Sequence, residues 1–267
     1  MARIILIETS TALCSTALAE DGRIVSYVES ETPRAQASLT APFVKRMLDE
    51  NGLAVRDCDA VCVSKGPGSY TGLRVGVSTA KGLCFGAGIP LIAVGTLDTL
   101  VYQAADEGLL PSGCRYVVPM VDARRMEVYT AVFTPDGRQL TETRPQVVES
   151  LSQPLAGSPD FLAKGPSPLV DVPDSPAANS TAGLPAGASF ADLLAEGPVL
   201  FIGDGAGKCR EPLAHPNAHF AQCCPKASAM LRPAFTALAA RRFEDTAYFE
   251  PFYLKEFIAT VPRRKLF

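Results

Sequence analysis

Apolar residues in this chain first come in short runs bounded by turn residues and then in stripes that repeat near every fourth position. Arg3–Ile7 is an apolar run ending in Glu8-Thr9-Ser10. Leu13–Ala19 follows, Asp21-Gly22 supplies a turn, and Arg23–Val28 returns. That grammar predicts a three-strand meander. Gln36–Asn51 changes the period. Leu39, Phe43 and Met47 fall on one stripe, Val44 and Leu48 widen it, and Asn51-Gly52 closes it, so the segment predicts an amphipathic helix. A buried strand at Ala60–Ser64, a helix over Ser69–Gly86, a strand at Ile89–Val94 and a helix from about Thr96 to Glu107 complete a first lobe.

The same grammar returns about 115 positions later. Tyr116–Val121 ends in Asp122-Ala123-Arg124, Glu127–Phe133 follows, Asp136-Gly137 turns, and Arg138–Val148 returns. An acidic residue closes the first strand each time, 13 positions before the turn in one case and 14 in the other. We read this as a duplicated α/β lobe, although two unrelated meanders give a similar pattern. Gln153–Pro198 breaks the echo. It holds eight of the 22 prolines and reads as an irregular insertion with a short helix at Ala188–Glu196. Val199–Ile202 is then a strand leading into Gly203-Asp204-Gly205-Ala206-Gly207. Lys226–Arg242 is a last helix that carries Pro233, and Tyr248–Phe257 is a tail.

The glycines are the sharpest local signal. In Gly66–Gly76, reading GPGSYTGLRVG, Gly66 and Gly68 bracket Pro67 and permit a sharp turn, and Ser69 is placed to cap the next helix. Gly72, Gly76, Ala80, Cys84 and Gly88 recur every four residues, with Leu73, Val77 and Phe85 beside them. A helix this rich in glycine is poor on propensity and must be held by something packed closely along the stripe. The loop is not a P-loop, because no Lys-Ser or Lys-Thr follows the glycines, and it is not a dinucleotide fingerprint.

Charge narrows the function classes. The chain has 267 residues and a formal net charge of −3, which argues against a dedicated nucleic-acid clamp. Arg241-Arg242 and the run Arg263-Arg264-Lys265 are the exceptions. No apolar run approaches a membrane span or a signal-peptide core. The eight cysteines lie mostly in apolar segments, as reduced thiols do. His215 and His219, with Cys223 and Cys224 beyond them, put four soft ligands within ten residues. Pro216 interrupts them and no C-x-x-C pair is present, so chance proximity is the preferred reading over zinc.

The segments IETSTALCSTAL, GPGSYTGLRVGVSTAKGL, PLIAVGTLDTL, VDARRMEVY and EPFYLKE together resemble the TsaB (YeaZ) family, related to TsaD and Kae1. The resemblance spans most of the chain outside the proline-rich insertion. It implies an α/β, two-lobed actin-like ATPase (ribonuclease H-like) fold with duplicated βββαβα lobes. The lobes would be 1–107 and 108–267, with an insertion near 153–188 and the last helix packing back on the first lobe. It also implies a non-catalytic role in making N6-threonylcarbamoyladenosine (t6A) at tRNA position 37. The partners would be a TsaD-type catalytic subunit and a TsaE-type ATPase, with a homodimer when alone, tRNA met only through the complex, a cytoplasmic location and no membrane. No cofactor is required by this chain, and ATP or ADP would belong to the assembled complex.

Relatives of the TsaD type read PLIAVNHLEGH and hold a metal through two histidines. Here Thr96 and Leu100 occupy those positions, and neither replaces an imidazole. Glu8-Thr9-Ser10 lacks the glycine of actin-like phosphate loops. Thr9, Ser10, Gly203 and Gly205 are therefore only weak nucleotide-facing candidates. No H-E-x-x-H or G-x-S-x-G supports a peptidase, the rival reading alongside a stand-alone nucleotide-binding kinase relative. Within the resemblance, partner pairing falls to the helices Gln36–Asn51 and Ser69–Gly86. Leu39, Phe43 and Met47 would anchor it, Leu73 and Val77 add apolar surface, and Gly72, Gly76 and Ala80 would allow close approach; one face of each helix must also cover the lobe's own sheet, and the sequence leaves open which face that is. Gly76→Arg is then expected to leave the lone chain folded while abolishing pairing.

Overall fold

A computed structural model describes residues 1–151 and 189–254. Strands β1 (Arg3–Glu8), β2 (Cys14–Glu20) and β3 (Arg23–Ser30) form the first meander. Helix α1 (Gln36–Glu50), strand β4 (Ala60–Gly66), helix α2 (Tyr70–Ala87), strand β5 (Leu91–Gly95) and helix α3 (Thr96–Asp106) follow. The second half holds β6 (Tyr116–Asp122), β7 (Glu127–Thr130), β8 (Arg144–Val147), α4 (Phe190–Glu196), β9 (Val199–Ile202), α5 (Ala206–Cys209), β10 (Ala218–Ala221) and α6 (Leu231–Ala239). The two five-stranded sheets have the orders β3-β2-β1-β4-β5 and β10-β9-β6-β7-β8. Read from opposite ends these are one topology, an antiparallel meander followed by two parallel strands. The echo in the sequence is a repeat of architecture.

Both faces of the first sheet are covered, which is why Ile4–Ile7 of β1 and Ala60–Val63 of β4 are continuous apolar runs. Ile5, Ile7, Val61 and Val63 pack under Val44 and Met47 of α1 and Val77, Ala80 and Cys84 of α2. Ile4, Leu6, Cys62 and Ile92 on the other face meet Met230, Ala234 and Ala237, so the chain returns from the second half to cover the first sheet. Reciprocally, Leu97, Leu100, Val101 and Ala104 of α3 pack on Val117, Val121, Leu200 and Ile202 of the second sheet.

Several boundaries differ from the sequence reading. The third strand of the second meander shrinks from Arg138–Val148 to β8, with Gln139 left in an isolated bridge to Phe133. β10 was not anticipated, because its four residues include an exposed histidine and no strand-length apolar run. The last helix begins as a 3-10 turn, Ala227–Met230, and ends at Ala239. Pro233 falls in the first turn of α6, where no intrahelical N–H is needed. Ser189 caps α4 in a capping box with Asp192. The insertion near 153–188 and the basic run Arg263-Arg264-Lys265 lie outside the described residues.

Candidate functional site

The glycine stripe of α2 meets the chain's own β1–β2 loop. A Cβ on Gly72 would lie 2.1 Å from the Thr9 carbonyl oxygen, one on Gly76 would lie 2.3 Å from Thr9 Oγ1, and one on Gly68 would lie 2.3 Å from the Ser10 carbonyl. The Thr9 hydroxyl donates to the Gly72 carbonyl at 2.8 Å, and the Ser69 N–H donates to the Ser10 carbonyl at 2.6 Å. Ser69 also caps α2, as its sequence position predicts. Gly72, Leu73, Gly76, Val77 and Ala80 are all buried within the lobe, and so is Met47 of α1. This corrects the expectation that they form a docking surface, since residues already packed against the loop and sheet have no surface to offer a partner. Gly76→Arg would place a long side chain into Thr9 and disrupt the lobe itself. Leu39 and Phe43 remain half-buried on α1.

At the end of β1, Glu8 is completely buried. Its Oε1 accepts from the Ser10 N–H at 2.6 Å and from the Ser64 hydroxyl at 2.8 Å, while Oε2 has no partner among the described residues. Burial pushes its carboxyl up to about 7, against the downward pull of the Ser10 and Ser64 hydrogen bonds. Ser10 Oγ is buried and likewise unpartnered. Thr96 and Leu100 are buried in α3, with Leu100 inside the second sheet's core, so the pair offers no metal-binding set there.

The second glycine loop is also occupied by its own surroundings. A Cβ on Gly203 would sit 2.3 Å from the Met120 carbonyl oxygen, and Gly205 donates its N–H to that same oxygen at 2.9 Å. Asp204 Oδ1 accepts from the Asp122 N–H at 2.9 Å, and burial raises the Asp204 carboxyl to about 6. Lys208 reaches into the loop after β6. Its ammonium donates to Asp122 Oδ1, to the Arg125 carbonyl at 2.8 Å and to the Glu127 carbonyl at 2.7 Å. Arg124 and Arg125 both take positive φ, 70° and 50°, which turns the Arg125 carbonyl toward that lysine. Thr9, Gly203 and Gly205 thus serve close packing between strand ends and the following helices. His215, His219, Cys223 and Cys224 do not converge, and no cluster of three or more such ligands exists among the described residues.

What α2 leaves to solvent is a second stripe that the sequence reading missed. Arg74, Ser78, Gly82 and Gly86 recur every four residues on the opposite side and are exposed. Added Cβ atoms on Gly82 and Gly86 would meet nothing within 4 Å. Phe85 stands beside them, 87% exposed. Its spacing was visible, but sequence periodicity does not say which of two glycine stripes faces inward. The tail lies along this helix, with Lys81 Nζ donating to the carbonyls of Ala247 and Phe249 at 3.1 and 3.0 Å. The Tyr253 ring lies 4.8 Å from that of Tyr70, and the Phe252 N–H donates to the Lys65 carbonyl at 2.7 Å.

Two mixed sheets of one repeated order, each partly covered by a helix from the other half, define a protein of the actin-like ATPase superfamily. The family model TsaD, tRNA N6-adenosine threonylcarbamoyltransferase, matches residues 28–234. The Escherichia coli K12 tRNA threonylcarbamoyladenosine biosynthesis protein TsaB is 35% identical over 162 residues, covering 58% of this chain and 68% of its own. Bacillus subtilis TsaB is 33% identical over 131 residues, 49% of this chain and 54% of its own, so the match spans about half of that relative. YeaZ from Pseudomonas aeruginosa superposes with a TM-score of 0.70 at 26% identity, covering 95% of this chain and 100% of that one. The chain belongs to the TsaB (YeaZ) family.

Proposed function

We propose that this chain is a non-catalytic partner subunit in t6A biosynthesis, and that it activates a TsaD-type catalytic subunit by docking through the outer face of α1 and α2. The observation that carries the reading is Phe85, an aromatic ring 87% exposed beside the small-residue stripe of Ser78, Gly82 and Gly86. Covering a ring of this size would bury a large apolar area, and that gain favours a contact surface here. Small neighbours let a second helix approach it closely. Leu39 and Phe43 extend the apolar face onto α1. The loops at Glu8 and Gly203 are filled by the chain's own backbone and side chains, which supports a subunit that contributes binding rather than chemistry.

On this reading the chain requires no cofactor. ATP or ADP belongs to the assembled complex with the TsaE-type ATPase, tRNA is met through that complex, and the isolated chain pairs with itself through the same face in the cytoplasm. No helix among the described residues is long and apolar enough to cross a membrane. The test is threonylcarbamoyl transfer to tRNA in a reconstituted system. Activity that needs both this chain and a TsaD-type subunit, and is absent with this chain alone, is the expected result. Full activity without this chain overturns the reading, and saturable Mg-ATP binding by the lone chain would favour a stand-alone nucleotide-binding enzyme.

A further inference from the structure

β4 and β5 end side by side, with Gly66 opposite Gly95. Their pairing slips between Ser64 and Gly66, so Lys65 is left out of the ladder, and its carbonyl accepts from the Phe252 N–H of the tail at 2.7 Å. α3 starts directly after Gly95, and a Cβ on that glycine would lie 2.1 Å from Asp98 Oδ2. Glycine there lets the Asp98 carboxylate fold back over the strand end. The second half closes the far side, where Gln139 bridges to Phe133 and Phe133 packs in one core with Leu97. These segments enclose a groove of about 430 Å³, lined by Lys65, Leu97, Asp98, Gln139, Glu142 and Phe252 among others.

Two opposite charges stand in this groove without closing on each other. Lys65 and Asp98 are half-buried, and among the described residues neither makes an ion pair. Burial raises the Asp98 carboxyl, and the Lys65 ammonium pulls it back down. The two are near enough to feel one another, yet each lacks the direct partner that would offset its loss of water. Exposed Glu142 adds a second carboxylate. A simple anion would meet both carboxylates, and a simple cation would meet the ammonium. A ligand carrying both signs satisfies all three. Leu97 and Phe252, the latter 44% exposed, give it an apolar wall. We propose that the groove binds the zwitterion of a free α-amino acid with an aliphatic side chain, with Lys65 holding the carboxylate, Asp98 the ammonium, and Leu97 and Phe252 the side chain.

The test is amide NMR on the full chain, read at the Phe252 N–H and the Gln139 side-chain amide. L-Leucine, glycine, isoamylamine and 4-methylpentanoate are titrated at one neutral pH and fixed ionic strength. The amine lacks the carboxylate of leucine, and the acid lacks its ammonium. The expected result is a saturable shift with L-leucine and binding about tenfold weaker or worse for each singly charged analogue, as loss of one charged hydrogen bond implies. Lys65→Met keeps the aliphatic stem and breaks no ion pair, and an unchanged melting curve confirms its fold. Asp98→Asn keeps the shape of the other anchor, and both variants should weaken L-leucine by about tenfold or more. Glycine binding as tightly as L-leucine overturns the apolar half of the proposal. No saturable shift, a singly charged analogue binding as tightly as L-leucine, or unchanged affinity in the two variants overturns all of it.

Discussion

Replacing Glu8 by Gln should make this protein more stable at pH 8 and remove much of its pH dependence. Glu8 is fully buried and accepts two hydrogen bonds on one oxygen, with no cation beside the other. Burial raises its carboxyl to about 7 in the folded protein, from an ordinary value of 4.5. A raised folded-state pKa means that the native state holds its proton more tightly than the unfolded chain. Stability from this group is therefore fully present below about pH 4.5, and is lost progressively as pH rises to about 7. At about 1.4 kcal/mol per pKa unit, the loss between pH 5 and 8 is on the order of 2–3 kcal/mol.

Glutamine resembles the protonated form and carries no such loss. The assay is urea denaturation of the wild type and Glu8→Gln at pH 5, 6, 7 and 8, comparing the difference between the two proteins. Asp204 and Asp98 are also raised by burial and act in the same direction, so the wild-type slope alone does not isolate Glu8. Titrating the Glu8 side-chain carbon by NMR provides an independent midpoint. Parallel stability curves for the two proteins would refute the reasoning. So would a midpoint near 4, since either result means the carboxylate is charged and satisfied in the fold.

Gly76→Ala puts a Cβ 2.3 Å from Thr9 Oγ1 and should destabilise the chain by about 1–3 kcal/mol in denaturant melts. Gly82→Ala meets open space on the same helix and should stabilise it by about 0.5–1 kcal/mol; equal effects at the two sites would mean that the two stripes are not inner and outer. Phe85→Asp should leave the melting temperature nearly unchanged while abolishing pairing with a TsaD-type subunit in analytical ultracentrifugation, and retained pairing would move the contact elsewhere. Lys208→Met removes three hydrogen bonds made by a side chain only 22% exposed and leaves the Asp122 carboxylate without its cation. A loss of about 2–3 kcal/mol should follow, and a loss below about 0.5 kcal/mol would show that water replaces the lysine at no cost.

Much of this molecule was fixed by local pattern. The short apolar runs of β1 and β2 bounded by turn residues, the stripe of α1, the Ser69 cap and the repeated meander are local features, set by side-chain pattern and by which residues tolerate a turn. The glycine repeat in α2 was equally plain as a demand for close packing. Its partner was not, because Thr9 lies 63 positions from Gly72 and becomes its neighbour only when β1 and β4 pair in parallel. Parallel pairing depends on long-range closure that no local window records.

The tertiary structure alone turned Gly72, Gly76 and Met47 inward and left Phe85 outside. A helix carrying small residues on two sides has no local preference between them, and the sheet beneath decides. It also separated His215 and His219 from the two cysteines that follow, by making β10 an edge strand. Four residues are too few to declare a strand in sequence, and the pairing with β9 gives them their place. Sequence determined which segments form elements and how tightly they must pack. Which surfaces were consumed in folding, and which remain for a partner, was settled by contacts between segments distant in the chain.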